Sequence, residues 1–176
     1  MPPLPSGPFT PLVGTLVYVW DHDTDRILLI RRNARGDDDH FGKVNGLGGK
    51  VDSDESVLQG LRRELFEEAQ AAMVTGRFRG TITWTNFGPK REQWLAFVFV
   101  VDRHDGEITM TNHEGDLEWT PRTALLAACE SPDPALPMWP GDRHFVPLVF
   151  DDDPRPFWGT MPYDGEDVLR WTFERF

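Results

Sequence analysis

The sequence predicts an α/β fold built on a mixed β-sheet. Two observations carry this prediction. Short β-branched and aromatic runs alternate with helical stretches along the chain, as interleaved strands and helices require. The chain has 176 residues, 39% of them hydrophobic, with 12 Phe and 7 Trp, enough for one substantial core and too few for two ordinary domains. A single domain is therefore expected over residues 14–176, preceded by a Pro-rich arm at residues 1–13 that begins Met-Pro-Pro-Leu-Pro.

Residues 15–20 (Thr-Leu-Val-Tyr-Val-Trp) and 26–30 (Arg-Ile-Leu-Leu-Ile) are β-rich runs separated by Asp-His-Asp-Thr-Asp, which reads as a hairpin. A polar loop follows over 33–40. The run Gly46-Leu-Gly-Gly-Lys50 lets the backbone approach a neighbour closely, because glycine has no Cβ. Asp52, Ser53 and Asp54 offer N-caps for a helix that starts near Glu55 and runs to about Ala72. At about 100° per residue, Leu58, Leu61, Leu65 and Ala69 form an apolar stripe, while Glu64, Glu67 and Glu68 share a separate arc of about 100°. Residues 81–86 and 94–101 form a strand pair around a polar, basic turn at 89–92. A strand at 116–120 precedes a helix at 122–129. Three prolines within 130–137 impose a loop, residues 138–148 suggest a short helix, and residues 156–163 and 168–176 form a closing hairpin. No internal repeat is present.

Charge and cysteine usage exclude several classes. The formal charge of −11 argues against a nucleic-acid polymer as partner, because a phosphate backbone requires a basic surface; a small nucleotide carried with Mg²⁺ is compatible. The single cysteine, Cys129, leaves no internal disulfide or thiolate cage and fits a reducing, cytoplasmic setting. No run approaches the roughly 18 apolar residues of a spanning helix, and the N-terminus lacks the pattern of a secretory signal. The five histidines, His22, His40, His104, His113 and His144, are scattered and read as packing or surface residues. A Walker phosphate loop is absent, since Val51 follows Gly49-Lys50 where Ser or Thr is needed.

The chemistry concentrates between Gly49 and Ala71. Three carboxylates on one helix face repel each other unless a cation sits among them, and hard divalent metals prefer oxygen ligands. A lone Glu-x-x-Glu-Glu is most simply a solvated acidic face. The full pattern is Gly49, five residues, Glu55, seven residues, then Arg63-Glu64-Leu-x-Glu67-Glu68. Its chance occurrence in one chain is on the order of one in 10⁵ to 10⁶ at average residue usage. It resembles the Nudix box. One departure stands at Gln70, where that box usually carries glycine near the helix C-terminus, so the turn geometry there differs while the ligands remain.

The resemblance extends to Asn45-Gly-Leu-Gly-Gly-Lys50, Glu114 with Trp119, Met138-Trp-Pro-x-Asp142, Phe145-x-Pro-Leu148, Phe157-x-Gly159 and Gly165-x-Asp167. Together these are similar to the MutT-like, oxidised-purine nucleoside triphosphatases of the Nudix family. That likeness implies an α/β/α sandwich and Mg²⁺-dependent hydrolysis, with Mn²⁺ as an alternative, of 8-oxo-dGTP or 8-oxo-GTP to the monophosphate and pyrophosphate. It implies that Glu67, Glu68 and the Gly49 carbonyl hold metal, that Glu64 ligates metal or acts as base, and that Arg63 orients Glu67. Glu114 would be a further ligand or the base; the choice among Glu64, Glu68 and Glu114 stays open. Asn45, Trp139 and Asp142 would read the nucleobase, with Thr15, Leu16, Trp84 and Lys50 also contacting substrate. Trp139 offers a stacking face and Asp142 a carboxyl able to donate if an apolar pocket raised its pKa; core packing and a helix cap are the plain alternatives. Gly141 replaces a second acid of the related enzymes, so a lone Asp142 is expected to favour 8-oxo-dGTP over 2-hydroxy-dATP. The expected partner is a small nucleotide, the expected state a monomer. Competing readings are hydrolysis of other nucleoside polyphosphates or nucleotide sugars, and a non-catalytic nucleotide-binding module, against which the intact Glu55, Arg63, Glu64, Glu67 and Glu68 set argues.

Overall fold

The computed structural model describes residues 7–176. Of the arm expected over 1–13, residues 1–6 lie outside the described residues, and the first strand already begins at Leu12. The strands are β1 (Leu12–Asp21), β2 (Arg26–Arg31), β3 (Val44–Asn45), β4 (Ala72–Phe87), β5 (Glu92–Asp105), β6 (Asp116–Pro121), β7 (Phe157–Gly165), β8 (Asp167–Val168) and β9 (Thr172–Glu174). The helices are α1 (Val57–Ala69), α2 (Arg122–Glu130) and α3 (Asp142–Val149).

The sheet is mixed. Its main path runs β3-β2-β1-β5-β4-β7-β8, with β6 on β2 and β9 on β7. β1 runs parallel to β5 and β4 parallel to β7, while β1 and β2, β4 and β5, and β7 and β9 pair antiparallel. Two apolar cores lie on its two faces. Val17, Val19, Leu28 and Ile30 pack with Leu61, Leu65 and Ala69 of α1. Tyr18, Ile27, Leu29 and Val98 pack with Leu125 and Cys129 of α2 and Phe145, Val146 and Val149 of α3. Successive strand residues alternate between the two cores, as period-2 pleating demands. The result is an α/β/α sandwich.

β1 and β2 pair only over Val19–Asp21 and Arg26–Leu28. Closer to its start, β1 is paired instead by the glycine run: the Val17 amide bonds the Leu47 carbonyl at 2.7 Å, Leu47 returns the bond at 2.9 Å, and the Thr15 amide bonds the Gly49 carbonyl at 2.9 Å. The split between β1 and β2 thus seats the glycine run against the sheet.

Several boundaries differ from the sequence expectation. α1 is capped by Ser56, whose hydroxyl accepts from the Gln59 amide while Gln59 returns a side-chain bond, a capping box; Asp52, Ser53 and Asp54 lie in the preceding turn. The helix ends at Ala69 because Gln70 takes a left-handed φ of 57°. Leu58 leaves the apolar stripe and stays exposed, and Glu68 is buried in its stead. β4 is far longer than residues 81–86, and the helix expected over 138–148 starts only at Asp142.

Candidate active site

Local backbone needs explain the glycine run. Gly48 has a φ of +117°, and a Cβ there would stand 2.3 Å from the Thr15 carbonyl. A Cβ on Gly49 would fall 2.6 Å from the Glu64 carboxylate. The box therefore needs glycine at position 49 so that a carboxylate can lie against bare backbone.

Arg63 organises the acidic face of α1. Its guanidinium donates to Glu55 at 2.6 and 3.1 Å, to Glu64 at 2.8 Å, to Glu67 at 3.3 Å and to the Lys50 carbonyl at 2.9 Å. The bond from Arg63 holds the Glu55 carboxyl below its usual range. Burial pushes the Glu64 carboxyl upward despite its bond to Arg63.

Glu68 is only 3% exposed. One oxygen accepts from the Gly48 amide at 2.7 Å, and its carboxyl faces that of Glu114. Burial first, then the neighbouring Glu114 and Glu64, raise its pKa well above the carboxylate range. Asn112 locks the Glu114 turn to the helix end: its amide donates to the Glu68 carbonyl at 2.9 Å and its oxygen accepts from the Glu114 amide at 2.7 Å. Arg32 bonds the outer side of Glu114.

Among the described residues no three His, Cys, Asp or Glu side chains converge in ligating geometry, because Glu64 and Glu67 turn to Arg63. The donor chemistry nonetheless fits a hard divalent cation. Glu64, Glu67, Glu68 and Glu114 supply carboxylate oxygens and Gly49 a carbonyl, and the buried Glu68 has no cationic side chain bonded to it.

On the opposite face, Trp84, Phe87, Trp139 and Tyr163 make an aromatic wall. Phe87 lies 4.9 Å from Trp139, 5.0 Å from Tyr163 and 5.7 Å from Trp84, centroid to centroid. Among the described residues the buried Trp84 indole nitrogen has no hydrogen-bond partner. Asp142, the first residue of α3, abuts this wall, and burial pushes its carboxyl up to about 7. Leu16 packs on this side, and Asn45 sits half-buried in β3 opposite Ile30.

Three expected contacts are placed differently. Thr15 shares the pleat parity of Val17 and Val19, so it faces α1 and Leu16 faces away from it; its buried hydroxyl is unpartnered and close to Gly48. The Lys50 ammonium lies 5.6 Å over the Trp94 ring. Trp139 is 4% exposed, with the Lys43 ammonium 5.0 Å over its ring, so its face is already covered. Sequence reasoning missed Arg32, Asn112, Phe87, Tyr163 and the placement of His40, whose Nδ1 accepts the Trp139 indole N–H at 2.8 Å. No local pattern marks these residues; only the fold brings them to the site.

The acidic, glycine-seated helix thus lies on one face of the sheet and the aromatic wall with the buried Asp142 on the other. The NUDIX domain model matches residues 10–149, and the chain belongs to the Nudix family of hydrolases. It is 30% identical over 162 residues, 92% of each chain, to the oxidized purine nucleoside triphosphate hydrolase of Danio rerio. It is 28% identical over 127 residues, 71% of this chain and 72% of the relative, to an uncharacterized Nudix hydrolase of Bacillus subtilis. The crystal structure of a MutT protein from Bacillus halodurans superimposes with a TM-score of 0.73 at 26% identity, covering 93% of this chain and 97% of that one. No helix among the described residues is long and apolar enough to cross a membrane.

Proposed function

We propose that this chain hydrolyses oxidised purine nucleoside triphosphates, 8-oxo-dGTP and 8-oxo-GTP, to the monophosphate and pyrophosphate, sanitising the nucleotide pool. The observation that carries the reading is the buried Glu68 carboxyl facing the half-buried Glu114, with the other glutamates of α1 alongside. Glu64, Glu67, Glu68, Glu114 and the Gly49 carbonyl would hold Mg²⁺, or Mn²⁺ in its place. When bound, the metal neutralises developing phosphoryl charge and lowers the pKa of water. Arg63 holds Glu64 and Glu67 in the metal-free protein, and these carboxylates would turn from it to the metal when metal binds. Glu64, Glu68 and Glu114 are the candidates to take the proton of the attacking water, and burial raises the carboxyl pKa of the first two.

Asp142, with a pKa near 7, offers either a donor or an acceptor to a purine edge, while Asn45 and the Trp139 and Trp84 rings supply further contacts. The reading takes residues 14–176 as one catalytic domain with an N-terminal arm, acting as a monomer in the cytoplasm. A second reading, hydrolysis of nucleoside polyphosphates in general, is favoured by the covered face of Trp139. A pyrophosphate-release assay over oxidised and ordinary nucleotides, with and without Mg²⁺, tests both. Metal-dependent release with kcat/KM highest for 8-oxo-dGTP supports the first; equal values across bases favour the second; no release from any nucleotide rejects both.

A further inference from the structure

The 33–41 loop links the aromatic wall to the acidic face through a continuous series of polar contacts. The Trp139 indole N–H donates to His40 Nδ1 at 2.8 Å. The His40 backbone amide donates to Asp38 Oδ1 at 3.0 Å. Arg32 Nε donates to Asp38 Oδ2 at 2.7 Å, and Arg32 Nη1 bonds Glu114, whose carboxyl faces Glu68. The Arg32, Asp38 and Glu114 side chains retain 15%, 9% and 20% of their exposure. A charged group removed from this series would leave its partner unpaired and largely out of water, so the series holds or gives way as a unit.

The loop is also pinned at its outer side, where Lys90 in the turn between β4 and β5 bonds Asp39 at 2.7 Å. The His40 ring packs 5.5 Å from Trp139 and 6.2 Å from Phe87, so it sits at the edge of the aromatic wall. For Nδ1 to accept the indole N–H, His40 must be neutral with its proton on Nε2. Burial lowers its pKa and favours that form.

We propose that His40, Asp38 and Arg32 are positioning residues that tie occupancy of the aromatic pocket to the placement of Glu114 beside Glu68, so that base identity is expressed in turnover as well as in binding. The proposal rests on the proposed function for what occupies each end. A base that displaced Trp139 would act on Glu114 through this series, and a base that left Trp139 in place would not.

Two measurements test it. The first reads Mg²⁺ alone: the indole N–H resonance of Trp139, assigned through Trp139→Phe, should shift when Mg²⁺ is added to the wild type and stay in place in Asp38→Asn at saturating metal. The second reads kinetics. Asp38→Asn keeps an acceptor for the His40 amide and loses the charge facing Arg32, so kcat for 8-oxo-dGTP should fall about tenfold with KM within about twofold, as small misplacements do. The kcat ratio between 8-oxo-dGTP and dCTP should shrink with it. His40→Leu, which removes the acceptor of the Trp139 N–H together with the ring that packs on Trp139 and Phe87, should shrink that ratio too and covers the case of a poorly folded Asp38→Asn. A Trp139 resonance indifferent to Mg²⁺ in the wild type, or a purine-to-pyrimidine kcat ratio unchanged in both folded variants, overturns the proposal. Should the wild type release no pyrophosphate from any nucleotide, the proposed function fails and the resonance measurement alone decides the linkage.

Discussion

A Cβ on Gly141 would stand 1.9 Å from the Tyr163 hydroxyl and 2.5 Å from the Met161 sulfur. The backbone there is ordinary, with φ −70° and ψ −29°, so the demand for glycine is spatial and any L residue could adopt the torsions. Tyr163, 1% exposed, places its hydroxyl in the space that a side chain at position 141 would need. The lone Asp142 therefore has a phenol for a neighbour.

It follows that Gly141→Asp does not simply add a second carboxyl to the pocket. The side chain must displace Tyr163, and overpacking of this kind costs about 1 to 3 kcal/mol. Tyr163→Phe removes the closest atom and leaves the flexible Met161 thioether, so Gly141→Ala should be better tolerated in the Tyr163→Phe background than alone. A double-mutant cycle by urea denaturation checks this, and additive effects would show that Tyr163 moves aside freely. The choice between 8-oxo-dGTP and 2-hydroxy-dATP should then respond to Tyr163→Phe, read as a change in the ratio of their kcat/KM values.

Glu68→Gln should lower kcat for metal-dependent turnover by a hundredfold or so, as loss of one preorganised charge does in comparable sites, without unfolding the protein. The amide still accepts from Gly48 and gains a donor toward Glu114, so the metal-free protein should melt at the same temperature or higher. Glu67→Gln is a contrast, because Glu67 is exposed and meets only Arg63 at 3.3 Å. Its melting temperature should be unchanged. Near-wild-type turnover in both variants at saturating Mg²⁺ would sink the metal assignment.

Arg63→Lys keeps the charge and loses the fork that reaches Glu55, Glu64, Glu67 and the Lys50 carbonyl together. A loss of about 1 to 3 kcal/mol in stability is expected from the charge-assisted bonds that one ammonium cannot replace. Chemical denaturation reads the stability, and Mg²⁺ titration calorimetry reads whether Glu64 and Glu67 still present themselves together. A variant equal to wild type in both would show that Arg63 is a spectator.

The acidic face of α1 was legible because helical period and carboxylate chemistry speak through the same few residues, and the mixed α/β sheet was legible from the order of its elements, while the sandwich followed from the resemblance. Other features were hidden for physical reasons. Ser56 fell inside the span expected for the helix, and only its reciprocal bond with Gln59 marks it as the cap. The first half of β4 alternates weakly, and register shifts against β5 between Met73 and Gly80 break its pattern. Arg32 and Glu114 are 82 residues apart in sequence, so nothing local foretells their pairing. Leu58 and Glu68 exchanged roles because a buried carboxyl is stabilised by Gly48, a partner from outside the helix. Thr15 and Leu16, read as one lining, fall on opposite faces once β1 is a strand.

The last prediction concerns pH. Burial holds Asp142 near 7 against an ordinary value of 3.8, so the folded protein binds this proton more tightly than the unfolded chain. Such a group contributes its full stability below the unfolded value, and the contribution is lost as pH rises toward the folded one. A shift of roughly three units corresponds to at most about 4 kcal/mol. Glu64 and Glu68, also raised, act in the same direction in metal-free protein. Asp102 runs the opposite way: burial would raise it, yet the bonds from Arg77 and His22 hold it below its usual range, so its stabilisation is present above about pH 4 and lost as pH falls through the folded value. Metal-free stability should therefore peak near pH 5 and decline toward pH 8. Mg²⁺ should flatten the share of that decline due to Glu64 and Glu68, and Asp142→Asn the share due to Asp142, while His40 and His144, whose pKa burial lowers, act in the opposite direction. Thermal melts from pH 4 to 8, with and without Mg²⁺, decide the matter: a metal-free wild type whose melting temperature rises from pH 5 to 7, or an Asp142→Asn variant with the wild-type slope, would mean that Asp142 is ionised and hydrated in the folded protein and offers a purine edge only an acceptor.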